Sequence, residues 1–431
     1  MIAGLRPGDS GYDRARAVWN AMVDRRPALI LPCRSAAGVV AAVRHGREEG
    51  LEIGVRCGGH SVLGLPLTDG GLLIDLAPMG AVQVDPASRR ARVGGGALLG
   101  ALDIASQRHG LATTAGNVSH TGVGGLTLGG GVGWLSRLCG LSSDNVTSFE
   151  VVTAAGDVVT ASATERPDLY WGLRGGGGNF GVVTEFEFRL HQVGTRALEV
   201  EFVHELEDAH EALRGWRELL AEAPRRATPV ARVGDLDGRP VARIGFVWVG
   251  DPAEGRRLVP SYRSIGRPIA ERVEELSYLD LQTAGDDVEG HAIRRYWKGH
   301  YLRQLSDDAI EAFLDRGDGS FPAARLTLNA GAISDLPDED SAYSHRDALV
   351  EFTTSAGWLD PAEDQARMTA ARVYAAGIEP FASGAYVNAL ADEGDQGVRR
   401  AYRPEKLARL TELKRAYDPD NVFHLNPNIR P

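Results

Sequence analysis

Val55-Arg56-Cys57-Gly58-Gly59-His60-Ser61 is the stretch on which the reading of this chain turns. A short apolar lead-in (Leu51, Ile53, Val55) runs into two glycines, a histidine and a serine. Glycines let the backbone turn with its N–H groups pointing one way, which makes an anion cradle without a lysine. A histidine at the rim of such a cradle stands where a cofactor's reactive ring would follow its phosphates. The competing reading is a glycine turn with an exposed histidine, since short Gly-rich matches are common. The rest of the chain separates the two.

Around this loop the pattern predicts alternating helices and strands. Residues 13–24 read as a helix and 28–31 as a buried strand. Ser35 caps a helix with Val39, Val40, Ala42 and Val43 on its apolar face, and Gly50 ends it. Leu72–Leu76 is a strand, 81–93 a hairpin around Asp85-Pro86, and 98–109 a helix stopped by Gly110. A second glycine-dense stretch, 115–134, carries Gly122-Val123-Gly124-Gly125 and Gly129-Gly130-Gly131 among apolar Val123, Leu126, Leu128, Val132 and Trp134. No helix or strand interior tolerates so many glycines without cost, so something flat or phosphorylated is expected against this backbone.

Composition bounds the possibilities. At 431 residues two domains are the default, and no apolar run approaches the ~18 residues of a membrane span. Net charge of −11 argues against nucleic acid or an anionic membrane as partner. Cys33, Cys57 and Cys139 are too few and scattered for a disulfide framework or a zinc site, so no metal is expected. The first residues lack a basic-then-apolar signal region, and a cytoplasmic location is the expectation. Glycine, with 53 copies, exceeds the average share of roughly 7%, and many copies lie between Gly54 and Gly181. Gly176-Gly177-Gly178-Asn179-Phe180-Gly181 matches GxGxxG, yet a helical pattern precedes it and an alternating strand follows. That reverses the context of a nicotinamide site, which is rejected.

Taken together, Arg56–Ser61, Gly122–Trp134, Gly140–Asn145 and Gly175–Thr184 occur in the order and spacing of the FAD-linked oxidases. Tyr386-Val387-Asn388 and Tyr417–Ile429 complete the match. The chain resembles the berberine bridge enzyme-like branch of the vanillyl-alcohol oxidase (PCMH-type) superfamily. Among bacterial members it looks most like natural-product tailoring flavoproteins such as the enterocin Favorskiase type.

The resemblance implies an α+β fold in which a two-part PCMH-type FAD-binding domain, residues 1–194, precedes a substrate domain, 195–390. Residues 391–431 would return to the FAD domain. Arg56, Cys57, Gly58, Gly59, His60 and Ser61 would hold the FAD pyrophosphate, with His60 bonded to the 8α-methyl of the isoalloxazine. Gly116, Ser119, His120, Gly122, Gly124 and Gly125 would line the pyrophosphate and ring, and Gly181 and Val183 the adenine end. Asn388, Asn426 and Asn428 would bring the C-terminal segments to the flavin. Many relatives also link the flavin through a cysteine where this chain has Ser143, so one link is expected. Where relatives have glycine this chain has Cys57, read as a small buried side chain.

Residues 195–390 read as an antiparallel sheet with helices on one face. Strands are expected at 198–206, 230–233, 241–249, 325–333 and 384–390, and helices at 208–223, 252–264, 307–315 and 362–376. Tyr296, Trp297, His300, Tyr301 and Tyr386 are candidate substrate contacts. By resemblance Tyr386 is the first candidate base, with Tyr296 a second catalytic candidate. Val123 stands where plant relatives gate oxygen: valine accompanies oxidases and leucine dehydrogenases. The expected activity is hydride removal from a small polyketide- or alkaloid-like substrate with electrons passed to O2. An oxygenase, a dehydrogenase or a non-catalytic flavin-binding protein are the alternatives.

Overall fold

A computed structural model describes residues 4–288, 290–315 and 322–431. Three strands, β1 (Leu29–Pro32), β2 (Ile53–Arg56) and β3 (Leu72–Asp75), form a parallel sheet in the order β1-β3-β2. Leu29, Ile30, Leu31, Leu72, Leu73 and Ile74 are all buried, as a parallel sheet covered on both faces requires. The helix Ala36–Glu48 makes the crossover; Ser35 Oγ accepts from the Gly38 N–H, and Gly50 leaves it with φ 65°. β2 then releases the chain at its carboxyl end into the loop 57–61, the edge at which open α/β sheets bind ligands.

The next strands are β4 (Val82–Asp85), β5 (Arg90–Gly94), β6 (Leu111–Ala112), β7 (Val146–Val152), β8 (Val158–Ser162), β9 (Val182–Arg189) and β10 (His191–Gln192). Five of them form an antiparallel sheet, β4-β5-β9-β7-β8, while β6 pairs with β10. Val93, Phe149, Phe186 and Phe188 fill the core against this sheet.

Seven longer strands follow: β11 (Arg196–Glu205), β12 (Ala227–Leu236), β13 (Arg239–Val249), β14 (Ala270–Ser277), β15 (Arg294–Leu302), β16 (Ala323–Leu328) and β17 (Val350–Trp358). They make one antiparallel sheet ordered β14-β11-β13-β12-β16-β17-β15. Its register sets two faces. Phe202, Ile244, Ala231, Leu326 and Phe352 lie on one, covered by the helices Ala209–Leu219, Asp307–Leu314 and Asp364–Ile378. Tyr301, Glu351, Thr327, Val230, Gly245 and Glu201 are cross-strand neighbours on the other. Val230 and Val247 pack there on Trp134 and Leu135, so this second face looks toward the glycine-rich segments.

Several local expectations change. The helix read over 13–24 is only Tyr12–Arg16, because Trp19 and Asn20 turn inward; Asn20 bridges to Ile293 and to Arg295. A six-residue helix, Val123–Leu128, forms inside the glycine stretch, its glycines admitting close neighbours. The span 252–264 breaks into Pro252–Gly255, a short 3₁₀ turn and Val259–Arg263. β16 ends at Leu328, short of the strand read to 333. The strand expected at 384–390 is a single bridge, Gly384 to Tyr301, followed by a 3₁₀ turn Val387–Ala389. At the C-terminus Lys414 Nζ donates to Asp418, to Asn179 O and to Phe423 O, pinning the last segment beside the glycine run 175–178.

Candidate active site

The loop after β2 meets the glycine-rich segment backbone to backbone. A Cβ on Gly58 would collide with Gly122 N, and one on Gly122 with Gly58 N, so no side chain fits at either position. Arg56 turns its guanidinium to Asp75 (2.8 Å) and to the carbonyls of Ala15 and Ala17, while its own carbonyl accepts from Leu76 N–H in the sheet. Cys57 is half-buried, with Sγ 3.3 Å from Ala97 O; burial pushes its thiol up to about 11, so it stays protonated. Gly59 takes φ 71°, and Ser61 Oγ accepts from the Leu65 N–H.

His60 sits in an aromatic clamp. Its Nε2 is 2.6 Å from His120 Nδ1, and its ring stacks on Trp19 at 4.6 Å. His291 approaches His120 at 5.1 Å, and the Arg295 guanidinium lies 4.2 Å over Trp19. Burial first, then the His120, His291 and Arg295 neighbours, pushes the His60 pKa down to about 3 and keeps the ring neutral. Ser119 is held by Asp286 through its N–H (2.8 Å) and its hydroxyl (2.6 Å). Gly116 O accepts from Gln282. Gly124 and Gly125 belong to the helix Val123–Leu128, where a Cβ on Gly125 would meet only open space. Val123 is fully buried at the start of that helix. Gly181 leads into β9, where Val183 is buried and paired with Val151.

Across from these loops stands a polar cluster on the sheet face. The Tyr386 hydroxyl accepts from Gly131 N (3.0 Å) and from Asn388 Nδ2 (2.9 Å). Gly131, with φ 84°, and Gly130, with φ 119°, form a turn that only glycine makes without strain. Asn388 also reaches the carbonyls of Gly125 and Leu126. Tyr301 and Tyr343 join hydroxyl to hydroxyl at 2.5 Å, and their rings lie 6.4 and 6.3 Å from that of Tyr386. Burial raises the pKa of all three tyrosines, and the Glu351 carboxylate adds to the rise. Burial raises Glu351 in turn, opposed by Arg325 and a bond from Thr353.

Other sequence candidates fall elsewhere. Tyr296 occupies the opposite face of β15 from Tyr301, since side chains alternate along a strand. Its hydroxyl is committed to Asp392 and Arg372, so it does not join the polar cluster. His300 likewise turns to the helix-covered side, bonded to Ala375 O and Arg400. Trp297 edges onto Trp19 at 5.3 Å. Asn426 Nδ2 reaches Phe423 O, at 3.4 Å, beside Gly178. Asn179, read in the sequence only as part of the GxGxxG match, ties the C-terminus down by donating to Pro427 O and accepting from Ile429 N. Glu351, Tyr343, Trp19 and Asp286 were also missed; the alternation Val350-Glu351-Phe352-Thr353 was the one available signal for the first.

Several buried polar atoms on these segments have no partner among the described residues: Asn117 Oδ1, His120 Nε2, Trp134 Nε1, Ser143 Oγ and Asn428 Oδ1. Buried polar groups are costly when unpaired, so this set fits a polar ligand such as FAD along the glycine segments. Among the described residues no group of three or more His, Cys, Asp or Glu could hold a metal, and no helix is long and apolar enough to cross a membrane.

Glycine cradles opposed by a polar sheet face define an FAD-binding oxidoreductase. Two family models agree: "FAD binding domain" over residues 27–162 and "Berberine and berberine like" over 385–430. The chain is 32% identical to (R)-6-hydroxynicotine oxidase of Paenarthrobacter nicotinovorans over 99% of its own length and 96% of that protein's. It is 32% identical to an FAD-linked oxidoreductase of Dictyostelium discoideum, covering 99% and 94%. Among solved structures, 6-hydroxy-D-nicotine oxidase of Arthrobacter nicotinovorans superposes with a TM-score of 0.90 at 31% identity, covering 100% and 98%. Berberine bridge enzyme-like 1 of Physcomitrella patens gives 0.90 at 25% identity, covering 100% and 96%. The chain belongs to the berberine bridge enzyme-like, FAD-linked oxidases of the vanillyl-alcohol oxidase superfamily and is an enzyme that binds FAD.

Proposed function

We propose that this enzyme is an oxidase with one histidyl-linked flavin, taking a hydride from a small alkaloid- or polyketide-like metabolite and passing the electrons to O2. The observation that carries the reading is the buried cluster of Tyr386, Tyr301, Tyr343 and Glu351 opposite the glycine segments. An alkaloid-like amine is supported by the name of the relative that oxidises 6-hydroxynicotine. A natural-product tailoring role follows from the resemblance of the motifs. The reading divides the chain after 194 and after 390, supported by the gap between β10 and β11 at 193–195 and by the return of 418–431 to the glycine run.

When bound, the flavin supplies the two-electron acceptor. The chain supplies position and proton handling. His60 and Ser61 end the cradle, Gly58 and Gly122 let the backbones close on a phosphate, and Asn388 fixes the helix that carries Gly124 and Gly125. Gly131 N–H and Asn388 both donate to Tyr386, so its own proton is directed away from them. Tyr386 stays protonated at rest, because burial raises its pKa. Glu351, the cross-strand neighbour of Tyr301 and raised by burial, is the carboxylate that acts on this hydroxyl cluster as its proton acceptor. The pair takes the substrate's O–H or N–H proton as the hydride leaves.

The test is spectroscopic. Purified enzyme, titrated under nitrogen with candidate amines and alcohols, is expected to bleach with its substrate and recover in air with release of H2O2. Bleaching that persists in air makes it a dehydrogenase; oxygen incorporated into product makes it an oxygenase. Peptide mass spectrometry is expected to place the flavin on the Gly59-His60-Ser61 peptide. Flavin on Cys139, or acid-stable flavin in His60→Ala, overturns the single linkage. Ser143 Oγ cannot form a thioether.

A further inference from the structure

A cleft of about 550 Å³, the size of a small-molecule site, lies apart from the glycine segments and shares no lining residue with 56–61, 116–134 or 175–181. Its walls come from the turn after β15, the connection before Tyr386, and the helices Gly394–Ala401 and Pro404–Tyr417. Arginine dominates the lining, against the carboxylates of Glu379 and Glu405. Arg303 and Arg403 share the Asp347 carboxylate, each at 2.7 Å, and Arg403 also meets Asp338 at 3.1 Å. Arg400 is bound to Glu393 and to His300 Nδ1. Arg399 is exposed and has no ion-pair partner among the described residues. No side chain caps the helix Pro404–Tyr417, and its start, Arg403 to Glu405, stands in the cleft wall. The positive end of its dipole is therefore presented there.

His345 belongs to the same lining and is 5% exposed. It takes φ 68°, uncommon for a residue with a side chain, and its ring lies where a Cβ on Gly384 would come within 2.1 Å of it. Its Nε2 is 3.0 Å from Arg400 O, which can only accept, so the ring proton is on Nε2 and the lone pair on Nδ1. That Nδ1 is buried with no partner among the described residues. Burial lowers the His345 pKa and keeps the ring neutral at rest.

We propose that this cleft binds a phosphate dianion, free or carried on a small organic molecule, through Arg399, the start of the helix Pro404–Tyr417 and His345. A phosphate offers three charged-acceptor oxygens to these three donors, whereas a carboxylate offers two. Ser383 and Gln396 line the remaining space and suit the hydroxyls of an ester's organic part. The arriving charge favours the imidazolium, so His345 takes up a proton on binding and its Nδ1–H donates to the phosphate. Arg403 and Arg303 oppose that uptake, Arg400 O and Asp347 favour it, and the Tyr301 ring stands 5.9 Å away. Tyr301 N–H donates to Gly384 O and Ser383 N–H to Tyr301 O, which places the site one side chain from the tyrosine cluster.

Isothermal titration of the FAD-loaded enzyme, whose flavin-phosphate cradle is already filled, tests this with inorganic phosphate, glucose 6-phosphate and glucose at fixed ionic strength. A phosphate ligand is expected to saturate one site per chain and glucose to give no binding heat. Saturation by inorganic phosphate assigns the site to the free ion, and saturation by glucose 6-phosphate alone assigns it to an ester. Arg399→Ser is expected to weaken binding by roughly tenfold or more at an unchanged melting temperature. Heats in buffers of different ionisation enthalpy at pH 7.5 are expected to show proton uptake in the wild type and none in His345→Asn, a residue that tolerates positive φ. No saturable heat from either phosphate, glucose binding as tightly as its 6-phosphate, or wild-type affinity in Arg399→Ser overturns the proposal. Proton uptake unchanged in His345→Asn overturns the part given to His345.

Discussion

On the proposed mechanism Tyr386 and Glu351 divide the proton handling between them. The hydroxyl is held in place by two donors, and the carboxyl is the group whose burial makes it basic. Tyr386→Phe is expected to lower the anaerobic rate of flavin reduction by roughly 10²-fold or more, and Glu351→Gln by a similar factor. Flavin content should be unchanged in both, which absorbance of the purified variants checks. Val123 belongs to the same scale. It is fully buried, its N–H donates to Ala97 O, and one added methylene has no slack to enter. Val123→Leu is expected to slow reoxidation in stopped flow by about tenfold, equal to about 1.4 kcal/mol on the barrier, with reduction unaltered. Equal reoxidation rates would leave this valine as core filling only.

Between elements, the helix Leu99–Gln107 packs on the helix Tyr278–Thr283, which leads to Asp286 and its grip on Ser119 in the loop at 116–121. Gln282 joins them, donating to Asp103 Oδ2 (3.1 Å) and to Gly116 O (3.0 Å). Asp103 is 1% exposed, and burial pushes its pKa up to about 7 against the bond from Gln282. The folded protein therefore holds a proton that the unfolded chain, with an ordinary aspartate near 4, releases. From about pH 4 to 7 the native state binds more protons, so this group's contribution falls as pH rises through that window and is flat above it. Asp103→Asn is expected to remove that slope. Melting temperatures at pH 5.5 and 8 check it: the wild type should lose more across the interval than the variant.

At the scale of the whole molecule, the glycine segments and the seven-stranded sheet are joined by buried charge. Arg346, in the connection between β16 and β17, meets Asp144 at 2.6 and 2.9 Å, and both side chains are 3% exposed. The guanidinium also reaches Ile333 O and Ser341 Oγ, and Asp144 accepts from Leu141 N. Arg346→Met strands a buried carboxylate, a change expected to cost about 3–5 kcal/mol and to lower the melting temperature by several degrees. Arg346→Met with Asp144→Asn removes the stranded charge and is expected to recover a large part of that loss. If the double variant melts below the single one, the pair is not the source of the effect.

Much of the fold was legible because its local demands are written in residue identity. Positive φ at Gly130 and Gly131, the cap at Ser35, the apolar runs of β1 and β3 and the helix-then-strand order around 167–189 each require particular residues at particular places. The same holds for the closeness of Gly58 and Gly122, which only bare backbone permits. What the chain could not display locally is which side chains meet. Tyr296 and Tyr301 read alike in sequence, yet strand parity sends one to Asp392 and the other to the face bearing Tyr386. The strand expected around Tyr386 proved a bridge and a turn, held by Gly131 and Tyr301 instead of by a ladder. Glu351 beside Tyr386, and His291 beside the His60–His120 pair, come from segments remote in sequence. By itself the sequence determined the glycine cradles and the order of elements, because backbone conformation is a local property. Only the tertiary structure decided the tyrosine–glutamate and histidine clusters, because sheet register and packing bring those side chains together.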